Sequence, residues 1–172
     1  MPFPAFTCQV LEYYTTHPAP SESVWYGPWT TILTTLFPAT DGFLVTPQRK
    51  VIDEDDSKCM IPEFVIEVSK IAQPGDLNLQ IDLIAGIKNS HHWPDGAERL
   101  FVQICKQANS AFSQTAHRTL YCIGVIGPHW QYGSKEDDGQ LELSKLIPWH
   151  DTTHDDASFN DLQILAGVVR AL

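Results

Sequence analysis

Residues 119–126, Thr-Leu-Tyr-Cys-Ile-Gly-Val-Ile, constrain the fold more than any other segment. They run from His117-Arg118 to Gly127-Pro128, so the segment has strand length and a turn signal at its exit. A half-exposed strand alternates polar and apolar residues. This one is apolar almost throughout, as a strand covered on both faces is, and it is read as a central strand. Before it, Phe101, Ile104, Cys105, Ala108, Ala111 and Phe112 recur at i, i+3, i+4, i+7, i+10 and i+11, the apolar stripe of one long helix. Pro94 and Asp95 suit its start. Two β-branched runs come earlier, Ile61 to Val68 and Leu79 to Lys88. They flank Gln73-Pro74-Gly75-Asp76, where glycine supplies the positive φ of a type II turn, and they are expected to pair antiparallel.

The rest of the chain supplies the covering layers. Phe6, Val10, Leu11 and Tyr14 have the spacing of a short helix, and Trp29 to Phe37 of a second, ended by Pro38. Gly42 to Thr46 reads as a strand after the Asp41-Gly42 turn. At the C-terminus Leu162, Leu165, Val169 and Leu172 line one face of a helix over 158–171, with Ser158 and Asp161 resembling a capping box. No internal repeat or linker divides residues 1–172, so one domain is expected. The fold class is α/β (α+β): a central mixed β-sheet flanked by helices. At 172 residues and 43% hydrophobic composition, such a chain buries a core without disulfides or metals.

Charge narrows the function classes. The formal net charge is −10, which argues against gripping nucleic acid over the whole surface. The acid is concentrated in Asp53–Asp56 and after Gly133. Residues 71–132 balance their acids with Lys88, Arg99, Lys106 and Arg118. No run reaches the ~20 apolar residues of a membrane span. Cys8, Cys59, Cys105 and Cys122 form no CxxC pair, and Met-Pro-Phe-Pro-Ala-Phe lacks the features of a signal peptide. A reducing compartment, cytoplasmic or nuclear, with no membrane contact is expected.

Three short motifs follow one another in order: Pro62-Glu63-Phe64, then Ile84-Ala85-Gly86-Ile87-Lys88, then Gln103 and Gln107 on the long helix. With Gly124 to Tyr132 beyond them, they resemble the PD-(D/E)xK nuclease-like superfamily, in particular its fungal members, over about residues 40–135. The resemblance implies an αβββαβ, restriction-endonuclease-like core and a site built from Glu63, position 86, Lys88 and the two glutamines. In that family two carboxylates on adjacent strands hold Mg²⁺, which takes hard oxygen ligands, lowers the pKa of a bound water and stabilises charge on the phosphate. The lysine helps to place that water. Pivoting the two strands about Pro74-Gly75 puts Glu63 opposite Gly86, with Lys88 on the same face as Gly86.

Position 86, however, carries no carboxylate. Asp82 shares its face but lies four residues away, about 13 Å at ~3.3 Å per residue. Glu67 is similarly distant from Lys88, which leaves Glu12 or Glu22 of the N-terminal region as the acid that could approach. The expectation is a degenerate, catalytically inactive domain without a cofactor. It would bind or scaffold a protein partner or a second copy of itself, with nucleic acid a weaker ligand. The alternative is a Mg²⁺-dependent nuclease using Glu63, Lys88 and an acid from elsewhere. Read without the resemblance, Glu63 and Lys88 are a cross-strand ion pair, Gly86 is a point of close backbone approach, and the glutamines face solvent.

A third reading rests on His150-Asp151-Thr152-Thr153-His154-Asp155-Asp156. On a helix His150 and His154 would share a face, as two-histidine metal pairs do, giving a metal-dependent hydrolase. Pro148 and the threonines favour instead a loop leading to the last helix, with Asp155 and Asp156 serving its N-terminus. His91-His92-Trp93 is placed at the rim of the Lys88 site. Trp25 to Trp29 and His129 to Tyr132 concentrate aromatics without nearby basic residues, and are assigned to packing rather than to base stacking.

Overall fold

The computed structural model describes residues 3–47, 65–71 and 79–172. The run that the sequence marks as central is β4 (Thr119–Ile126), and it is buried from Cys122 to its end. It lies between β3 (Leu79–Lys88) and β5 (His129–Glu136) in a six-stranded sheet of order β1-β2-β3-β4-β5-β6, with β1 Phe43–Pro47, β2 Val65–Ile71 and β6 Ser144–Lys145. β3 and β4 are parallel and every other neighbouring pair is antiparallel, so the sheet is mixed. Parallel neighbours need a crossover, and α3 (Ala97–Ala111) supplies it.

Alternation along the strands sorts the core into two layers. Leu83, Ala85 and Ile87 of β3 and Ile123 and Val125 of β4 pack with α1 (Ala5–Thr16), α2 (Tyr26–Leu36) and α4 (Asp156–Arg170). Ile84, Leu120, Cys122 and Ile126 pack on the other face, against Leu100, Phe101, Ile104 and Ala108 of α3. Helices therefore cover both faces, as the fold class requires. The aromatic-rich segments are core: Trp25, Trp29 and Trp130 are fully buried, and Tyr132 nearly so. Among the described residues no helix is long and apolar enough to cross a membrane.

Several boundaries differ from expectation, each for a local reason. α2 begins at Tyr26 rather than Trp29, because Pro28 falls in its first turn where a missing N–H is tolerated. Its threonines fold back on the helix, Thr31 and Thr35 donating to the carbonyls of Gly27 and Thr31 at 3.0 and 2.7 Å. In α1 the buried residues are Thr7 and Leu11, while Phe6 is 75% exposed. Phe3 takes the core position instead, edge-on to Phe159 at 5.3 Å. The last helix is capped by Asp155, whose Oδ1 accepts the Ser158 N–H at 2.7 Å, so Ser158 lies inside the helix and Leu172 is exposed. β5 and β6 were hidden from pattern reading. β5 carries Gln131, Ser134 and Lys135, and Lys135 is buried in an ion pair with Asp138.

One packing detail bears on the rest. Gly86 and Gly124 are register partners on β3 and β4, and both face α3. A Cβ at Gly86 would meet Ile104 Cγ1 at 2.7 Å and Leu100 Cδ1 at 3.1 Å, and one at Gly124 would meet Phe101 Cε1 at 3.0 Å. The helix rests on two side-chain-free positions. Gly86→Ala should destabilise the protein by about 1–3 kcal/mol through overpacking. In a double-mutant cycle with Ile104→Ala, urea denaturation should show a favourable coupling, because the second change removes the atoms that clash. Additive losses would contradict this packing.

Candidate functional site

The family-like site depends on register, and the pairing differs from the one expected. Val65, not Glu63, lies opposite Gly86, and Glu67 lies opposite Ile84. Two offsets of one residue produce the difference. β2 ends at Ile71 and β3 begins at Leu79, so an odd number of residues separates them and the pivot moves half a residue beyond Pro74-Gly75. Then Val68 pairs with Leu83 and Ser69 with Ile81, leaving Asp82 as the extra residue of a β-bulge. Glu63 itself lies outside the described residues, as do Pro62, Phe64, the Pro74-Gly75 turn, Cys59 and Asp53–Asp56.

Gly86 is the point of close approach that the plain reading of the sequence allowed. It faces Leu100 and Ile104, so α3 fills the space beside position 86. Gln103 and Gln107 stand half-buried on that helix. Lys88 is the last residue of β3, beside Ile126 at the end of β4, so both parallel strands end at this rim. Open α/β sheets bind ligands beyond the carboxyl ends of such strands.

The N-terminal region supplies an acid here. Buried Asn89 donates from Nδ2 to the Ala19 carbonyl at 2.9 Å, which ties the chain before the 3₁₀ turn Glu22–Trp25 to the end of β3. Glu22 is thereby close enough for its charge to act on Lys88, His92 and Tyr26. Burial holds the Lys88 ammonium below the usual lysine range, and Glu22 opposes that shift. Burial, followed by the charge of Glu22, pushes the Tyr26 phenol far up. Sequence reasoning weighed Glu12 and Glu22 alike, and Glu12 is exposed on α1. The Asn89–Ala19 hydrogen bond, three residues before Glu22, carries no sequence signature.

His91 and His92 form an exposed turn with Ser90, their rings 4.0 Å apart. Trp93 stacks on His129 at 4.0 Å and meets Trp149 edge-on at 4.8 Å. Comparison of the chain with protein-family models, curated proteins and solved structures finds no match in any of the three.

The second histidine cluster has other duties. His150 is not helical. It stacks flat on Trp130 at 4.7 Å, and its Nε2 pairs with Asp161 at 2.8 Å. His154 Nδ1 lies 2.7 Å from the Thr152 hydroxyl. Trp130 Nε1 donates to Thr152 O and Ser158 Oγ at 3.0 and 3.1 Å, joining β5 to the start of α4. The two histidines thus have different partners, and no group of three or more possible metal ligands occurs among the described residues. Cys105 and Cys122 are buried free thiols whose burial raises their pKa values, which suits packing rather than nucleophilic attack.

Asp82, considered above as a replacement ligand, is buried at the bulge. His117 Nε2 lies 3.2 Å from its Oδ1, yet neither carboxylate oxygen has a hydrogen-bond partner among the described residues. Burial pushes its pKa from 3.8 to about 6, against the opposing charges of His117 and Lys70. The folded state then holds a proton that the unfolded chain has already released. The stability contributed by this group is full below the ordinary carboxylate value and is lost as pH rises through about 6. Asp82→Asn should therefore stabilise the protein at pH 8 by about 1–3 kcal/mol, with the gain shrinking toward pH 4. Urea denaturation at the two pH values measures this, and a loss of stability at pH 8 would contradict the assignment.

Proposed function

We propose that this chain is a degenerate PD-(D/E)xK nuclease-like domain that has lost phosphodiester cleavage and works as a binding module. The observation that carries the reading is the packing at Gly86. A missing carboxylate alone could be replaced by a neighbour, but Ile104 and Leu100 occupy the space a Cβ at 86 would need. The order α2-β1-β2-β3-α3-β4, with α3 crossing between parallel strands, agrees with the αβββαβ order that the resemblance implies. An acid introduced by Gly86→Glu would meet Ile104 and Leu100 at its Cβ, which opposes its use as a Mg²⁺ ligand.

A second reading has one observation in its favour. Glu22 acts on Lys88 from the N-terminal region, so a Mg²⁺-dependent nuclease could use Glu22 and Glu63 as acids with Lys88. Mg²⁺ there would supply a bound water of lowered pKa and charge neutralisation at the phosphate. Incubation of the full chain with Mg²⁺ or Mn²⁺ and single- or double-stranded DNA or RNA separates the two. The degenerate reading expects cleavage no faster than that of a Lys88→Ala variant. Metal-dependent cleavage abolished by both Lys88→Ala and Glu22→Gln would replace it with the second reading.

A further inference from the structure

Position 86 carries no carboxylate, but basic groups are still assembled around the end of β3. β3 ends at Lys88, whose carbonyl accepts the Gly127 N–H at 3.0 Å. Ser90 packs directly on that glycine, where an added Cβ would meet Ser90 Cβ at 2.5 Å. The turn then closes onto the start of α3: Gly96 N–H donates to the His92 carbonyl at 2.7 Å, and a Cβ at Gly96 would meet the same oxygen at 2.8 Å. Arg99 sits in the first turn of that helix. Backbone contacts therefore fix His91, His92 and Arg99 relative to the end of β3, on a rim of exposed side chains.

We propose that His91, His92 and Arg99, with Lys88 behind them, form a binding site for a phosphate group at the carboxyl ends of β3 and β4. The inference rests on the degenerate reading and deepens it: the site keeps groups that neutralise phosphate and carries no carboxylate at position 86. A divalent cation between the histidines would be repelled by Lys88 and Arg99. An oxyanion gains from all four groups. Arginine's planar fork and the imidazole N–H groups offer donors from several directions, which suits a tetrahedral ion better than a planar carboxylate.

Glu22 competes with a bound anion for Lys88, and Asp95 and Glu98 are further carboxylates at the start of α3 beside Arg99. His92 is held below the usual imidazole range, first by burial and then by His91 and Lys88, with Arg99 adding to the effect and Glu22 opposing it. Acidification adds positive charge to His92, and a bound dianion favours that charged form. Anion affinity should rise as pH falls.

Calorimetric titration of the full chain at constant ionic strength tests this with inorganic phosphate, and with sulfate for the pH series because sulfate stays dianionic. Saturable phosphate binding should weaken by about five- to tenfold in His92→Ala/Arg99→Ala and strengthen by about two- to threefold in Glu22→Gln. Sulfate should bind more tightly at about pH 5.5 than at about pH 8. Paired oligonucleotides bearing a 5′-phosphate or a 5′-hydroxyl identify the source of the phosphate. A preference for the phosphorylated one, lost in the double variant, assigns the site to nucleic-acid ends. Equal oligonucleotide binding with retained phosphate binding assigns it to a free phosphate or small ester. Absence of saturable phosphate binding overturns the inference, as does binding unchanged in the folded double variant. Those failures leave the cleavage assay untouched, whereas metal-dependent cleavage would remove the degenerate reading whatever the phosphate titration gives.

Discussion

The contact between α3 and the Gly86–Gly124 pair organises the molecule. Parallel β3 and β4 require a crossover, and the crossover helix has to come back onto the sheet it spans. Two adjacent glycines remove the side chains that would keep it away, so Leu100, Phe101 and Ile104 reach the strands themselves. The same contact fixes where α3 starts, and hence where Arg99 stands relative to Lys88 and His92. It also fills the space beside position 86. One packing choice thus sets both the seat of the crossover helix and the absence of a side chain at 86.

Electrostatics then divide the protein by location. A net charge of −10 describes the whole chain, yet the rim beyond β3 gathers Lys88, His91, His92 and Arg99 around Glu22. Short-range geometry governs such a rim, because salt screens charges more than about 10 Å away at ordinary ionic strength. Elsewhere histidines serve structure: His150 joins the Trp130 hub to Asp161 on α4, and His117 sits over the buried carboxylate of Asp82. The dense His150–Asp156 motif is thus a seam between β5 and α4, held by Ser158 and the Asp155 cap.

Much of the secondary structure is legible from residue pattern. The α3 stripe, the apolar β4 run and the β-branched β3 run each bury a periodic face, and periodicity is a local property. β5 was not legible, since it carries buried polar residues: Gln131 Nε2 donates to the Ile147 carbonyl, and Lys135 pairs with Asp138 just beyond the strand. The β2–β3 register was legible only to within two residues. The bulge that leaves Asp82 as the extra residue of β3 had no sequence signal.

The sequence by itself determined the layered α/β class, the central position of β4, the amphipathic crossover helix and the absence of a carboxylate at 86. Each follows from residue identity and spacing along the chain. Tertiary structure alone decided that Gly86 is covered by Ile104, that Glu22 rather than Glu12 approaches Lys88, and that His150 and His154 have separate partners. Those outcomes depend on distances between residues far apart in the chain. Such distances are set by packing, which has no periodic trace in the sequence.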